Sequence, residues 1–192
     1  MSVVTRIRTR EESIVPFTVP EVWRVLADVT AYPGWWPPKL PVKVLLEAPG
    51  LLGTEIEVRP VLGGEFRCRF EEIDEPRELR LRFFNGSLEG PGGFHLEPRE
   101  NCTRVICESD VFARGLDVAV FSRVFPLGTL HAFQMRSLLR GLERRLCKLR
   151  AAAVSAGEVR KAKPGGRWLR VRVMRTAQGI GRWLRESPGS IF

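Results

Sequence analysis

His131 lies on the apolar side of residues 126–150, whose spacing predicts a helix, one turn ahead of Met135. An imidazole there can hydrogen-bond a ligand oxygen, or take a proton as a general base. It can equally be a core histidine whose ring nitrogens are satisfied by the protein. The 192-residue chain has one tyrosine, Tyr32, in the corner Tyr32-Pro33-Gly34-Trp35-Trp36-Pro37-Pro38. His131 and Tyr32 are therefore the acid/base candidates. Catalysis by either needs an inward-facing partner, and the acidic residues of the predicted strands fall on the outward register. No nucleophile–base–orienter set, paired carboxylates or phosphate loop is present, which favours binding over turnover.

The four cysteines do not form a disulfide framework. Cys102 and Cys107 lie five apart in one predicted strand, so they face opposite sides. Two histidines and no Cys-x-x-Cys pair give no zinc site, and no cofactor is expected. Trp35 and Trp36 offer a wide aromatic surface. They are either the lip of a pocket or a plug closing the open end of a core.

The elements that must position these residues read clearly. Residues 3–15 alternate as a strand. In "TVPEVWRVLADV" Thr18 caps a helix, Pro20 sits in its first turn, and Glu21 lies near its positive end. The period changes to two between residues 41 and 113. Ile56 and Val58, then Phe66, Cys68 and Phe70, then Leu79, Leu81 and Phe83 face one side. Phe94, Leu96 and Val105 continue the set, while arginines and glutamates occupy the alternate positions. Strand six is expected from Gly92, and Asn85-Gly86 marks a hairpin before it. The short connections give an antiparallel meander with one covered face. In the long helix His131, Met135, Leu138, Leu142, Leu146 and Leu149 recur at spacings of three and four, and residues 116–124 read as a lead-in helix.

Net charge is +9, and it is concentrated in the tail. Residues 151–192 hold nine Lys/Arg against two Asp/Glu, whereas residues 1–150 hold 22 against 20. A nearly neutral body argues against a nucleic-acid groove on it. Residues 151–166 read as a linker, and residues 167–185 as a basic amphipathic helix bearing Trp168 and Trp183. That helix can lie on an anionic membrane, dock on the body, or extend into solvent. The start of the chain lacks a secretory signal, and no window is apolar enough to span a bilayer, so a cytoplasmic protein is expected; the membrane reading of the tail would place it at the inner membrane face.

A strand, short helices ending in Trp-Trp-Pro, an antiparallel sheet and one long helix together resemble the START/Bet v 1-like (SRPBCC) superfamily. Within it the likeness is to polyketide-cyclase/dehydrase-like and coenzyme-Q-binding-like bacterial proteins. The likeness is carried by Val22-Trp23, Leu26-Ala27-Asp28, Tyr32-Pro33, Trp35-Trp36-Pro37, Gly90-Pro91-Gly92-Gly93-Phe94, Thr103-Arg104-Val105 and the helix "HAFQMRSLLRGLERRL". It covers about residues 3–150, so residues 1–150 are expected to form a START-like domain and 151–192 an extension.

The resemblance implies an α+β helix-grip fold. About seven strands wrap the long helix and leave a cavity for a lipid, quinone or polyketide-like molecule. The ligand-binding candidates on the strands are Val58, Phe66, Cys68, Phe70, Leu81, Phe83 and Phe94. Trp35 and Trp36 join them from the corner, and His131 and Met135 from the helix. A minority of the superfamily are cyclases or dehydratases, which keeps a lyase using His131 and Tyr32 as the alternative. A ribosome-associated branch also exists, which keeps RNA contact through the tail as another. Fold does not choose among these.

Overall fold

Alternating side chains divide residues 41–113 into strands, and Gly, Pro and Asn punctuate them. The structure is a computed structural model describing residues 4–62, 64–114 and 126–155. It contains β1 (Val4–Val15), α1 (Val19–Ala27), a 3-10 turn (Val29–Gly34), β2 (Val42–Leu46), β3 (Glu55–Val58) and β4 (Phe66–Asp74). Then come β5 (Glu78–Phe84), β6 (Leu88–Arg99), β7 (Cys102–Arg114) and the long helix α2 (Leu127–Ser155). The seven strands form one sheet in the order β1-β7-β6-β5-β4-β3-β2, every neighbouring pair antiparallel. This is the helix-grip fold, α+β in class. The expected lead-in helix at 116–124 and the amphipathic helix at 167–185 lie outside the described residues.

Each face of the sheet has its own chemistry. The inner face carries Ile7 and Val15 of β1, Phe66, Cys68 and Phe70 of β4, and Val105, Cys107 and Val111 of β7, all buried. The outer face is a lattice of arginines and carboxylates. Arg69 holds Glu55 at 2.6 Å, Arg82 holds Glu71 at 2.8 Å, and Arg104 bridges Glu12 at 2.5 Å and Glu97 at 2.9 Å. Such exposed pairs contribute little individually. Together they cancel the charge of that face and keep the register, because a one-residue slip would turn arginines into the core.

Two short-range devices bring the chain from β1 to β2. The Thr18 backbone N–H and hydroxyl both donate to the Glu21 carboxylate, at 2.7 and 2.8 Å, and start α1. Asp28 then ends α1 and accepts from the Ala31 N–H at 3.2 Å, which tightens the chain into the 3-10 turn. Helix α2 buries His131, Met135, Leu138, Leu142 and Leu146. It runs on to Ser155, so the segment read as a linker begins as helix. Ala151, Ala152 and Ala153 have the highest helix propensity and need no packing to continue the last turns. Near that end Arg150 pairs with Glu21 at 3.3 Å and lies 3.8 Å from the centre of the Phe17 ring.

Two expectations fail for physical reasons. Strand β6 begins at Leu88 rather than Gly92 and runs through Gly90-Pro91-Gly92-Gly93. Gly90 has φ +141°, and a Cβ there would lie 2.4 Å from the Asp110 carbonyl oxygen. At Gly93 a Cβ would lie 2.3 Å from the Leu79 carbonyl oxygen. The glycines admit close backbone approach by β5 and β7, a positional role rather than a strand break. The acidic register is the second. Glu11 is 7% exposed on the inward face of β1, where Arg136 of α2 meets it at 3.0 Å.

Gly90→Ala combines a forbidden φ with a backbone clash. It is expected to lower stability by about 1–3 kcal/mol. Urea unfolding checks this: the midpoint falls while the slope is unchanged.

Candidate functional site

Inward positions on five strands converge with the corner and α2 around one cavity. Its wall is built from Ile56 and Val58 of β3, Phe66 and Cys68 of β4, Leu81 and Phe83 of β5, and Gly93 and Phe94 of β6. Cys107 and Glu108 of β7, Trp36 and Leu40 after the 3-10 turn, and Gln134, Met135 and Leu138 of α2 complete it. The rings of Phe66 and Phe83 are 5.3 Å apart, and the Cys107 thiol meets the Met135 sulfur at 3.4 Å. The cavity is narrow, with about 40 Å³ of free space. A larger guest must part the walls.

The wall offers little polar chemistry. Burial pushes the Cys107 thiol up to about 12 and the Cys68 thiol up as well, so neither is a thiolate at neutral pH. Glu108 stands opposite Gly93 in the ladder, and its carboxylate pairs with Arg10. The Gln134 amide reaches the Leu62 carbonyl oxygen at 3.4 Å.

The two tryptophans of the corner part company. The Tyr32 hydroxyl donates to the Leu26 carbonyl oxygen at 2.5 Å and so ties the corner back to α1. The Tyr32 ring stacks on Trp36 at 4.7 Å and meets Trp35 edge-on at 5.2 Å. Trp35 is buried against α2 at Gly141, where a Cβ would come within 2.8 Å of the Trp35 carbonyl oxygen. Trp35 therefore anchors the corner to the helix, and Trp36 forms cavity wall.

His131 belongs to a different place. Its Nε2 is 2.8 Å from the Ser109 hydroxyl, which is itself 2.8 Å from the Thr9 hydroxyl. This chain crosses from α2 to β7 and β1, beside the Glu11–Arg136 pair, and makes a buried polar seam along the β1 side. Burial pushes the His131 pKa down to about 4, opposed by a hydrogen bond with the Gln134 side chain. The ring is thus neutral at pH 7. Burial also raises the Tyr32 pKa.

Of the candidates read from the sequence, Trp36, Val58, Phe66, Cys68, Leu81, Phe83, Phe94 and Met135 come together around the cavity. Trp35, Phe70, Tyr32 and His131 do not line it. Phe70 is core, and the polar atoms of Tyr32 and His131 are engaged by the protein. Leu40, Ile56, Gly93, Cys107, Glu108, Gln134 and Leu138 were missed as wall residues. The helical stripe signals Leu138. Gln134 has no sequence signal, because it lies off that stripe.

The sequence model of the family described as polyketide cyclase/dehydrase and lipid transport matches residues 6–153. A START superfamily protein from Mycobacterium smegmatis has a similar structure, with TM-score 0.60 and 17% identity, over 74% of this chain and 98% of that one. A Thermus thermophilus protein matches with TM-score 0.56 and 21% identity, over 76% and 99% of the two chains. A conserved Geobacillus kaustophilus protein matches with TM-score 0.57 and 17% identity, over 74% and 96%. At these identities the structures share the fold. No curated protein matches the sequence.

Two outcomes test the assignment of roles. His131 is held neutral in the fold, and unfolding lets it take a proton below its ordinary value of 6.5. Its contribution is therefore whole above about pH 6.5 and is lost as pH falls towards about 4, by at most about 3 kcal/mol. Urea unfolding at pH 7 and pH 5 should show this loss in the wild type and a flatter dependence in His131→Gln; equal slopes would refute it. Trp35→Ala should act on stability first, by about 3–5 kcal/mol, whereas Trp36→Ala should change ligand uptake more than the thermal midpoint.

Proposed function

Because this chain belongs to the polyketide cyclase/dehydrase and lipid transport family, we propose that it binds an apolar small molecule between the inner face of its sheet and α2. It then acts as a carrier or sensor rather than as an enzyme. Members of this family typically bind hydrophobic ligands. The observation that carries the reading is the wall itself: aliphatic and aromatic side chains from five strands and a helix, with two protonated thiols. Such a surface attracts hydrocarbon at about 0.8 kcal/mol for each buried CH2. That gain can offset the cost of parting walls that close on about 40 Å³ when empty.

Turnover needs groups that this wall lacks among the described residues. Glu108 borders the cavity, but its carboxylate lies on the outward register of β7 and pairs with Arg10. His131 and Tyr32 stand behind other residues, with their polar atoms already bonded. Among the described residues no helix is long and apolar enough to cross a membrane. Loading from a bilayer surface fits the composition of residues 167–185, where arginines alternate with apolar residues and Trp168 and Trp183 flank the run.

Native mass spectrometry of the full chain, purified gently from its own host, tests the proposal. The expected result is a retained apolar molecule, released by organic solvent. Leu138→Phe, which adds bulk at the wall for about 1–3 kcal/mol of packing strain, should reduce that occupancy several-fold while the protein stays folded. A protein that carries no guest, and takes up neither a long-chain alcohol nor a quinone offered in excess, would rule the carrier reading out.

A further inference from the structure

Among the described residues three buried side-chain nitrogens lack a hydrogen-bond acceptor: Nε1 of Trp35, Nε1 of Trp36 and Nε of Arg136. The last still has the Glu11 carboxylate at 3.0 Å. The two indoles remain, and of these only Trp36 belongs to the cavity wall. A buried donor without a partner is costly, and in native proteins such groups are rare enough to need a cause. The Trp36 ring is also held in place. Tyr32 stacks on it at 4.7 Å, Trp35 tilts against it at 5.4 Å, and Tyr32 is itself tied to Leu26.

The other polar wall groups are committed. The Gln134 side chain bonds with His131 and reaches the Leu62 carbonyl oxygen, and the Glu108 carboxylate lies on the outward register of β7, paired with Arg10. Among the described residues no lysine or arginine lines the cavity. An anionic head group would thus be buried without a counter-charge, at a cost that hydrocarbon burial does not recover. A hydrocarbon body with one neutral oxygen acceptor meets the site on both counts.

Resting on the carrier reading above, we propose that Trp36 is its specificity-determining residue. Its indole N–H donates to an uncharged carbonyl or ether oxygen on an otherwise apolar ligand. A ligand oxygen that reaches it supplies the acceptor that the empty protein lacks, whereas a pure hydrocarbon leaves the donor unpaired.

The test uses the full chain and three small aromatic probes. Acetophenone supplies the ketone, α-methylstyrene the same shape without an acceptor, and benzoate the charged analogue. Binding is measured by titration on the 15N-labelled protein, with the Trp36 indole signal assigned from the spectrum of Trp36→Phe. Acetophenone should move that signal, and Trp36→Phe should weaken acetophenone binding about three- to tenfold more than it changes α-methylstyrene binding. Trp35→Phe, which removes the orphaned donor outside the cavity, should not separate the two probes.

If Trp36→Phe weakens both probes alike, or neither, or if benzoate binds as tightly as the ketone, the Trp36 assignment is overturned while carriage stands. If neither neutral probe enters the folded wild type, the carrier reading fails, and this inference with it.

Discussion

A helix can lie close to one part of a curved sheet, and the rest of the structure follows from which part α2 takes. It takes β1. The attachment is polar on one side, through the Thr9–Ser109–His131 chain and the Glu11–Arg136 pair. At the Trp-Trp corner it is steric, where Gly141 lets the Trp35 backbone come in. With the helix held there, the side chains of β3 to β6 reach towards Met135 and Leu138 across a gap that they nearly close. The cavity is thus the remainder of a packing problem. It is apolar because the inner faces of those strands have no buried polar partner to satisfy.

The corner shows how neighbouring residues acquire different tasks. The indole N–H groups of Trp35 and Trp36 find no acceptor, yet both backbone N–H groups donate to the Tyr32 carbonyl oxygen, at 3.1 and 2.8 Å. This shared acceptor folds the chain so tightly that successive rings diverge, with 53° between their planes. One ring goes towards the helix and the other towards the gap. Tyr32 serves both by filling the space behind them, which is a structural use of the side chain that a search for acids and bases would mark as catalytic.

Much of this was legible in the residues. Period-two alternation located all seven strands, and the stripe from His131 to Leu149 located α2. The start of β6 was not legible, because the glycines there answer to backbone atoms of Leu79 and Asp110 on other strands. The inward Glu11 was hidden for the same reason: its partner, Arg136, comes from an element far along the chain. Phe66 and Phe70 share a strand and a face, yet one lines the cavity and the other is core. Only the lateral position of α2 separates them, and no local pattern encodes that position.

The same asymmetry says how the walls part. Moving α2 away from β1 and β7 would strip the Ser109 hydroxyl of His131 and the buried Glu11 carboxylate of Arg136, and breaking such a network costs more than its bonds are worth when made. On the opposite side the one hydrogen bond joining α2 to the β3–β4 connection, among the described residues, is the 3.4 Å reach from Gln134 to Leu62. Its distance is beyond the usual N–H···O range, so little is lost when it opens. Val61, Leu62 and Phe133, beside that contact, already expose large apolar side chains to solvent. Opening there uncovers few new polar groups and places hydrocarbon at the rim through which a hydrocarbon guest would pass. The side of α2 that faces β2, β3 and β4 therefore has fewer polar contacts to lose than the seam along β1.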